Sequence, residues 1–244
     1  MDEDSCSSQR EKAKEYLELG SATMWTSASL CRQLGERSFD YIRVECLREL
    51  LFISRLKEEL KRYSLVIVGL GIHDVVKPDR CALPEKGGSR FNANMMEEGR
   101  YKHFNQSFDI AWKGTLRIAK ILQQTKRQDN PITTAVLWRT SGFHSTDDAS
   151  VTNTILHMNR LSWDRFRNRS MHAQSENGTV VMVDWGSAIF PRSFLPDRIE
   201  GDIRAHYGLE ARLLMAQMTT QQVMNLLHHS HCLRSTAHGA QCST

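Results

Sequence analysis

Two rhythms of apolar and polar positions run along the chain. The first is a short continuous apolar run. Ser64–Gly71, Ile132–Arg139 and Thr179–Asp184 each read this way and are rich in β-branched residues. Such runs predict strands covered on both faces, as in a parallel sheet. The second rhythm has a spacing of three and four. Leu47, Leu50, Leu51, Ile53, Leu56 and Leu60 predict one helix over 44–62. A long helix is predicted over 92–124, weakened by Gly99 and Gly114. Another covers 151–173, with Ile155, Leu156, Met158, Leu161, Trp163 and Phe166 toward the core. The last covers 207–229, with Leu209, Leu213, Ala216, Thr220, Val223 and Leu227 on one face. A helix is also expected over 9–19, whereas Gly20–Phe39 shows no clear period. Segments 77–90 and 190–205 hold prolines and read as irregular.

Strands and helices that alternate in this order predict an α/β fold with a three-layer, flavodoxin-like parallel sheet. Three strands are few for such a sheet. The pattern therefore predicts one or two further strands, either upstream of Met1 or within 20–42, and a sheet incomplete at its N-terminal side. The organisation expected is a disordered or helical segment at 1–19, the α/β domain at 20–229 and a disordered tail at 230–244.

Composition narrows the function classes. Of 244 residues, 40% are hydrophobic and 25% charged, which is ordinary for a globular domain. The formal charge is +4 and the basic residues are spread out, which argues against nucleic acid. No apolar run approaches membrane-spanning length, so the chain reads as soluble. Residues 1–14 match neither a signal nor a transit peptide, yet three glycosylation sequons, at Asn105, Asn168 and Asn177, would suit a secretory-pathway protein. Six cysteines contain no CxxC pair and read as isolated thiols. The tail holds His228, His229, His231, Cys232, His238 and Cys242 at spacings that fit no structural zinc site. No metal and no cofactor are expected. Gly69-Leu-Gly71 could open a dinucleotide loop, but Asp74 stands where the third glycine belongs.

In a parallel sheet, ligands bind beyond the carboxyl ends of the strands. Three segments end there: Gly69-Leu-Gly71-Ile-His73-Asp74, Arg139-Thr140-Ser141-Gly142-Phe-His144, and Asp184-Trp185-Gly186. A fourth, Gly201-Asp202-Ile-Arg-Ala-His206, precedes the last helix. Gly71-Ile-His73-Asp74 after its strand resembles the third block of the SGNH (GDSL-like) hydrolases, in the branch of the PC-esterases and polysaccharide O-acetyltransferases. Trp138-Arg139-Thr140 resembles the end of their central strand. Asp184-Trp185, Pro191-Arg192-Ser193, Asp202 and His206 resemble their C-terminal block. The resemblance covers about 62–228.

The resemblance implies ester chemistry: His206 as general base, Asp202 orienting it, Gly71 N–H and His73 at the oxyanion, and Arg139 and Thr140 toward substrate. The partner implied is a small-molecule or glycan ester. Two features depart from the pattern. The family's Gly-Asp-Ser nucleophile block is absent, the one Gly-Asp being Gly201-Asp202, and three residues rather than two separate Asp202 from His206. A weak or inactive esterase or acyltransferase is therefore expected, hydrolysing p-nitrophenyl acetate no faster than its His206→Ala variant. Ser141 and Ser145 are the nearest substitute hydroxyls, and His144 has no evident partner. The alternative is a non-catalytic binding domain that keeps the cleft. Each residue also has a plain reading: Asp202 as a helix cap, His206 as a helix-start residue, His73 as a loop histidine, Gly71 as a turn, and Arg139 as a solvated or ion-paired arginine.

Overall fold

The computed structural model describes residues 14–20, 38–76, 81, 97–124, 134–142, 149–170, 179–190 and 213–226. Five strands form one sheet: β1 (Lys14–Gly20), β2 (Ser38–Arg43), β3 (Leu65–Gly69), β4 (Ala135–Arg139) and β5 (Thr179–Val183). Their order is β2-β1-β3-β4-β5. All four pairings are parallel. This is the flavodoxin-like strand order, and it agrees with the flavodoxin-like parallel sheet expected from the sequence. The three strands read from the apolar runs are neighbours in the sheet, as their similarity predicts.

The N-terminal side differs from the expectation. Residues 14–20 form a strand, not the end of a helix, and β1 pairs on both edges, with β2 and with β3. Two strands thus precede β3 within the chain. β2 falls largely inside the 20–42 window, and β1 lies just before it. The predicted tail beyond 230 lies outside the described residues.

The helices are α1 (Leu50–Ile53), α2 (Lys57–Leu60), α3 (Ile72–Val76), α4 (Glu97–Gln124), α5 (Ala149–Ser170), α6 (Trp185–Ile189) and α7 (213–226). A 3₁₀ turn, Leu47–Glu49, leads into α1. The single helix predicted over 44–62 is broken at Ser54-Arg55-Leu56. Ser54 Oγ donates to the Leu51 carbonyl at 2.7 Å, a local bond that competes with continuation of the helix.

Alternate residues of β3, β4 and β5 face opposite layers, as the pleat requires. Val66, Val68, Val136 and Trp138 pack with Leu47, Leu50, Phe108, Ile118 and Leu122 on the α1/α4 side. Leu65, Ile67, Ala135, Leu137 and Val183 pack with Ala216 and Val223 of α7 on the other. That makes three layers. Trp138 anchors the first: it meets Phe108 and Trp112 edge-on and donates Nε1–H to Ser162 Oγ at 3.1 Å. Some predicted core positions lie outside. Leu156, Trp163 and Leu213 are exposed, while Met215, Thr219 and Val223 turn inward from α7. Among the described residues, no helix is long and apolar enough to cross a membrane.

Candidate active site

Three strand ends meet at one edge, held together by side-chain bonds. β3 ends at Gly69, and Arg139 at the end of β4 lies directly against it. A Cβ at Gly69 would overlap the Arg139 guanidinium, so glycine here allows the arginine to cross the neighbouring strand. Arg139 is 5% exposed, so it is not the solvated arginine of the plain reading. Gly71 follows with φ +110°, a backbone conformation that suits glycine. It turns the chain from β3 into α3, whose first turn carries His73 and Asp74.

β4 and β5 are tied just as closely. Thr140 N–H donates to the Val183 carbonyl at 3.0 Å. Thr140 Oγ1 donates to Asp184 Oδ1 at 3.0 Å and accepts from Gly186 N–H at 2.7 Å. With 2% of its surface exposed, Thr140 braces β4 against the start of α6. Asp184 caps α6 by accepting from Ser187 N–H. Ser141 Oγ donates to the Leu70 carbonyl at 3.0 Å, joining the ends of β3 and β4. The Asn159 amide clamps the Ser141 backbone, accepting from its N–H at 3.0 Å and donating to its carbonyl at 2.9 Å. A serine held on both backbone atoms, with its hydroxyl committed to a carbonyl, is built into the scaffold. That is a poor setting for a nucleophile.

Asp74, at this edge, is strongly perturbed. Burial pushes its carboxyl up to about 7 from an ordinary 3.8. The Leu47 N–H that it accepts at 2.9 Å and the nearby Arg48 pull the other way and only partly offset the burial, while Glu49 adds to it. The residue as a whole keeps a partly exposed face, but the carboxyl itself is the desolvated part and governs the titration.

The structure thus brings together Gly71, His73, Arg139 and Thr140 on the carboxyl edge of β3 and β4. Asp202, His206, His144 and Ser145 lie outside the described residues. Described residues of α7 do reach this edge: Met215 packs with Trp185 and Ile189, a cluster that also takes in Ile72 and Val75 of α3.

Comparison with solved structures fits this layout. A member of the lipolytic G-D-S-L family from Veillonella parvula superposes with a TM-score of 0.51 at 8% identity, over 86% of this chain and 97% of that one. The chain has the SGNH-hydrolase fold. A lipase from a goat rumen metagenome matches at 0.51 and 11% identity, over 85% and 96% of the two chains. A salicylyl-acyltransferase from a tetracycline biosynthetic pathway matches at 0.53 and 10%, over 88% of this chain and 55% of that one. No family model matches the sequence, and no curated protein matches it significantly.

Two features of this edge escape a reading of the sequence, and a third residue gains interest from β1. Asp74 is visible in the sequence as a mismatch to a glycine and as the end of the Gly71-Ile-His73-Asp74 block, but its burial and its bond to Leu47 are not. Cys46 and Cys81, expected as isolated thiols, form a disulfide between residues 35 apart. Ser21 immediately follows Gly20, the last residue of β1, in the sequence and itself lies outside the described residues. A signal for β1 is present: Leu17 and Leu19 alternate with Glu18 and stop at a glycine.

Proposed function

We propose that this chain acts on carboxyl esters, as a hydrolase or an acyltransferase, with Ser21 as nucleophile. The observation that carries the reading is the position of β1. It lies between β2 and β3, where the strand order reverses, and ligands of such sheets bind at that point. Gly20 pairs with Gly69, so the chain leaves β1 beside the Gly69–Gly71 turn. The next residue is Ser21. It supplies a hydroxyl directly after the strand, which the missing Gly-Asp-Ser block does not. The Asp of such a block is absent here too, and Ala22 follows.

In the proposed reaction, the Ser21 hydroxyl attacks the ester carbonyl carbon while His206 takes its proton. Asp202 orients His206 and stabilises the imidazolium. Gly71 N–H and His73 hold the oxyanion. The departing alcohol leaves with the proton from His206. Water, or an acceptor alcohol in a transferase, then takes the acyl group from Ser21. Arg139 and Thr140 shape the floor of the site by bracing β3, β4 and β5. The packing of Met215 of α7 near Ile72 and Val75 of α3 supports His206, nine residues earlier in the chain, reaching the same edge. The lipase and acyltransferase relatives in fold favour an acylated substrate, small or glycan. The Cys46–Cys81 disulfide and the sequons support maturation in an oxidising compartment.

The test is the initial rate on p-nitrophenyl acetate for the wild-type chain, Ser21→Ala and His206→Ala. Both variants are expected to fall at least about tenfold, equivalent to roughly 1.4 kcal/mol of transition-state stabilisation. A second reading, a non-catalytic binding domain with the same cleft, is favoured by the Gly20-Ser21-Ala22 spelling itself. It predicts three equal rates.

A further inference from the structure

Two ties join the segment after β2 to the segment after β3. Asp74 Oδ2 accepts Leu47 N–H at 2.9 Å across 27 residues of sequence. Cys46 is bonded to Cys81 across 35. Both land on the same corner. Cys46 stands at the start of the 3₁₀ turn Leu47–Glu49 and makes no side-chain capping bond. A helix start leaves N–H groups without partners inside the helix. Asp74 supplies, from a different element, an acceptor that Cys46 does not. Glu49 Oε2 accepts Glu45 N–H at 2.9 Å and closes the corner from its own side. Among the described residues, the charged groups around the Asp74 carboxyl are Arg48 and Glu49, with Glu45 at the same corner.

The topology gives these ties a place in the site. β2 and β3 flank β1. A link between the segments that follow them runs from one side of the β1 carboxyl end to the other. Gly71 and His73 belong to the same short stretch as Asp74. Burial of an acidic group opposes its ionisation, so Asp74 is a poor choice if a cap is its whole purpose.

We propose that Asp74 is a positioning residue for the ester site: through Leu47 N–H it holds the corner after β2 against the Gly71–His73 turn, with Cys46–Cys81 as a second, covalent tie. This rests on the ester reading, and the test separates the two. Hydrogen exchange by mass spectrometry on the full, oxidised chain compares wild type, D74A, D74N and D74E. D74A is expected to raise exchange by about tenfold or more in both 44–53 and 70–76, with 135–139 and 179–183 unchanged. D74N, whose amide oxygen can still accept Leu47 N–H, is expected to stay near wild type. D74E keeps the carboxylate on a longer arm and covers the case in which D74A does not fold; it is expected to loosen the same two segments to a smaller degree.

On p-nitrophenyl acetate, the loss in D74A is expected in kcat, about tenfold, with KM changed by less than about twofold, and D74N is expected to recover most of it. Loosening confined to 44–53, failure of D74N to restore protection, or an undiminished kcat in an active D74A would overturn the proposal. Two-segment loosening in a chain whose wild type is no faster than His206→Ala would sink the ester reading and leave the tie standing.

Discussion

Gly71→Val is expected to cost about 3 kcal/mol of folding stability and to abolish ester hydrolysis. Two separate penalties add. A β-branched residue at φ +110° sits outside the regions open to it, a strain on the order of 1–3 kcal/mol. A Cβ there would also run into Met158 Sδ, and Met158 is a buried member of the core on the α4 face. Methionine is flexible and can give, so crowding adds roughly 1 kcal/mol more. In a domain of this size the sum corresponds to a fall in Tm of about 6–12 °C. Gly71→Ala keeps the strain with less bulk and is expected to fall between wild type and Gly71→Val. Thermal unfolding of the three proteins checks the order. A Gly71→Val protein within about 1 kcal/mol of wild type would mean that the turn from β3 into α3 is not built as described.

Asp74→Asn is expected to gain stability over wild type as the pH rises. The Asp74 carboxyl titrates at about 7 in the folded chain against an ordinary 3.8. The folded chain therefore holds this proton more tightly than the unfolded one. The stability it contributes is fully present below about pH 4 and is lost as pH rises through 7. Asn does not titrate, so this slope should be missing from the variant. Each pH unit between the two values is worth about 1.4 kcal/mol, and partial exposure of the residue reduces the effect. Between pH 5 and pH 8 the variant should gain about 2 kcal/mol relative to wild type. Urea unfolding of both proteins at the two pH values measures it. Other carboxylates shift both proteins alike and cancel in the difference. Parallel pH profiles would place the Asp74 carboxyl in water.

Taken with the exchange experiment, that slope would show what the group costs and what it does. A buried acid beside the Gly71 turn opposes stability at neutral pH, and the proposed return is the tie it makes to Leu47 N–H. Residues that lower stability in this way tend to gather at functional sites.

The sheet's second half is legible in the sequence because each strand is an unbroken apolar run. Leu65–Gly69 and Ala135–Arg139 lie inside the sheet, with a neighbour on either edge, and such strands carry no polar face. β1 is not legible in the same way. Lys14, Glu15, Leu17, Glu18 and Leu19 are good helix formers, and local preference points to a helix. Pairing with β2 on one edge and β3 on the other overrides that preference. The difference has a functional consequence: a serine after a helix attracts no notice, whereas a serine after a parallel strand is a candidate at the ligand edge. The 44–62 helix fails for a smaller reason, the Ser54 back-bond.

At the site, Gly71 and His73 can be found because they follow a strand directly. Arg139 and Thr140 can be found too, but their burial cannot. It depends on Gly69 of a neighbouring strand and on Asp184 and Gly186, more than 40 positions along the chain. Asp74 and the Cys46–Cys81 pair belong to the same class. Their partners lie 27 and 35 residues away, with no spacing to mark them.

The central claim is that Ser21 is the acylated residue, and covalent labelling tests it most directly. The full chain is incubated with a fluorophosphonate, an irreversible mimic of the tetrahedral intermediate at a reactive serine. It is then digested and its peptides are weighed. The account predicts one phosphonate per chain, on Ser21, with none in His206→Ala. An adduct on Ser141 or Ser145, or an unlabelled chain, would contradict it.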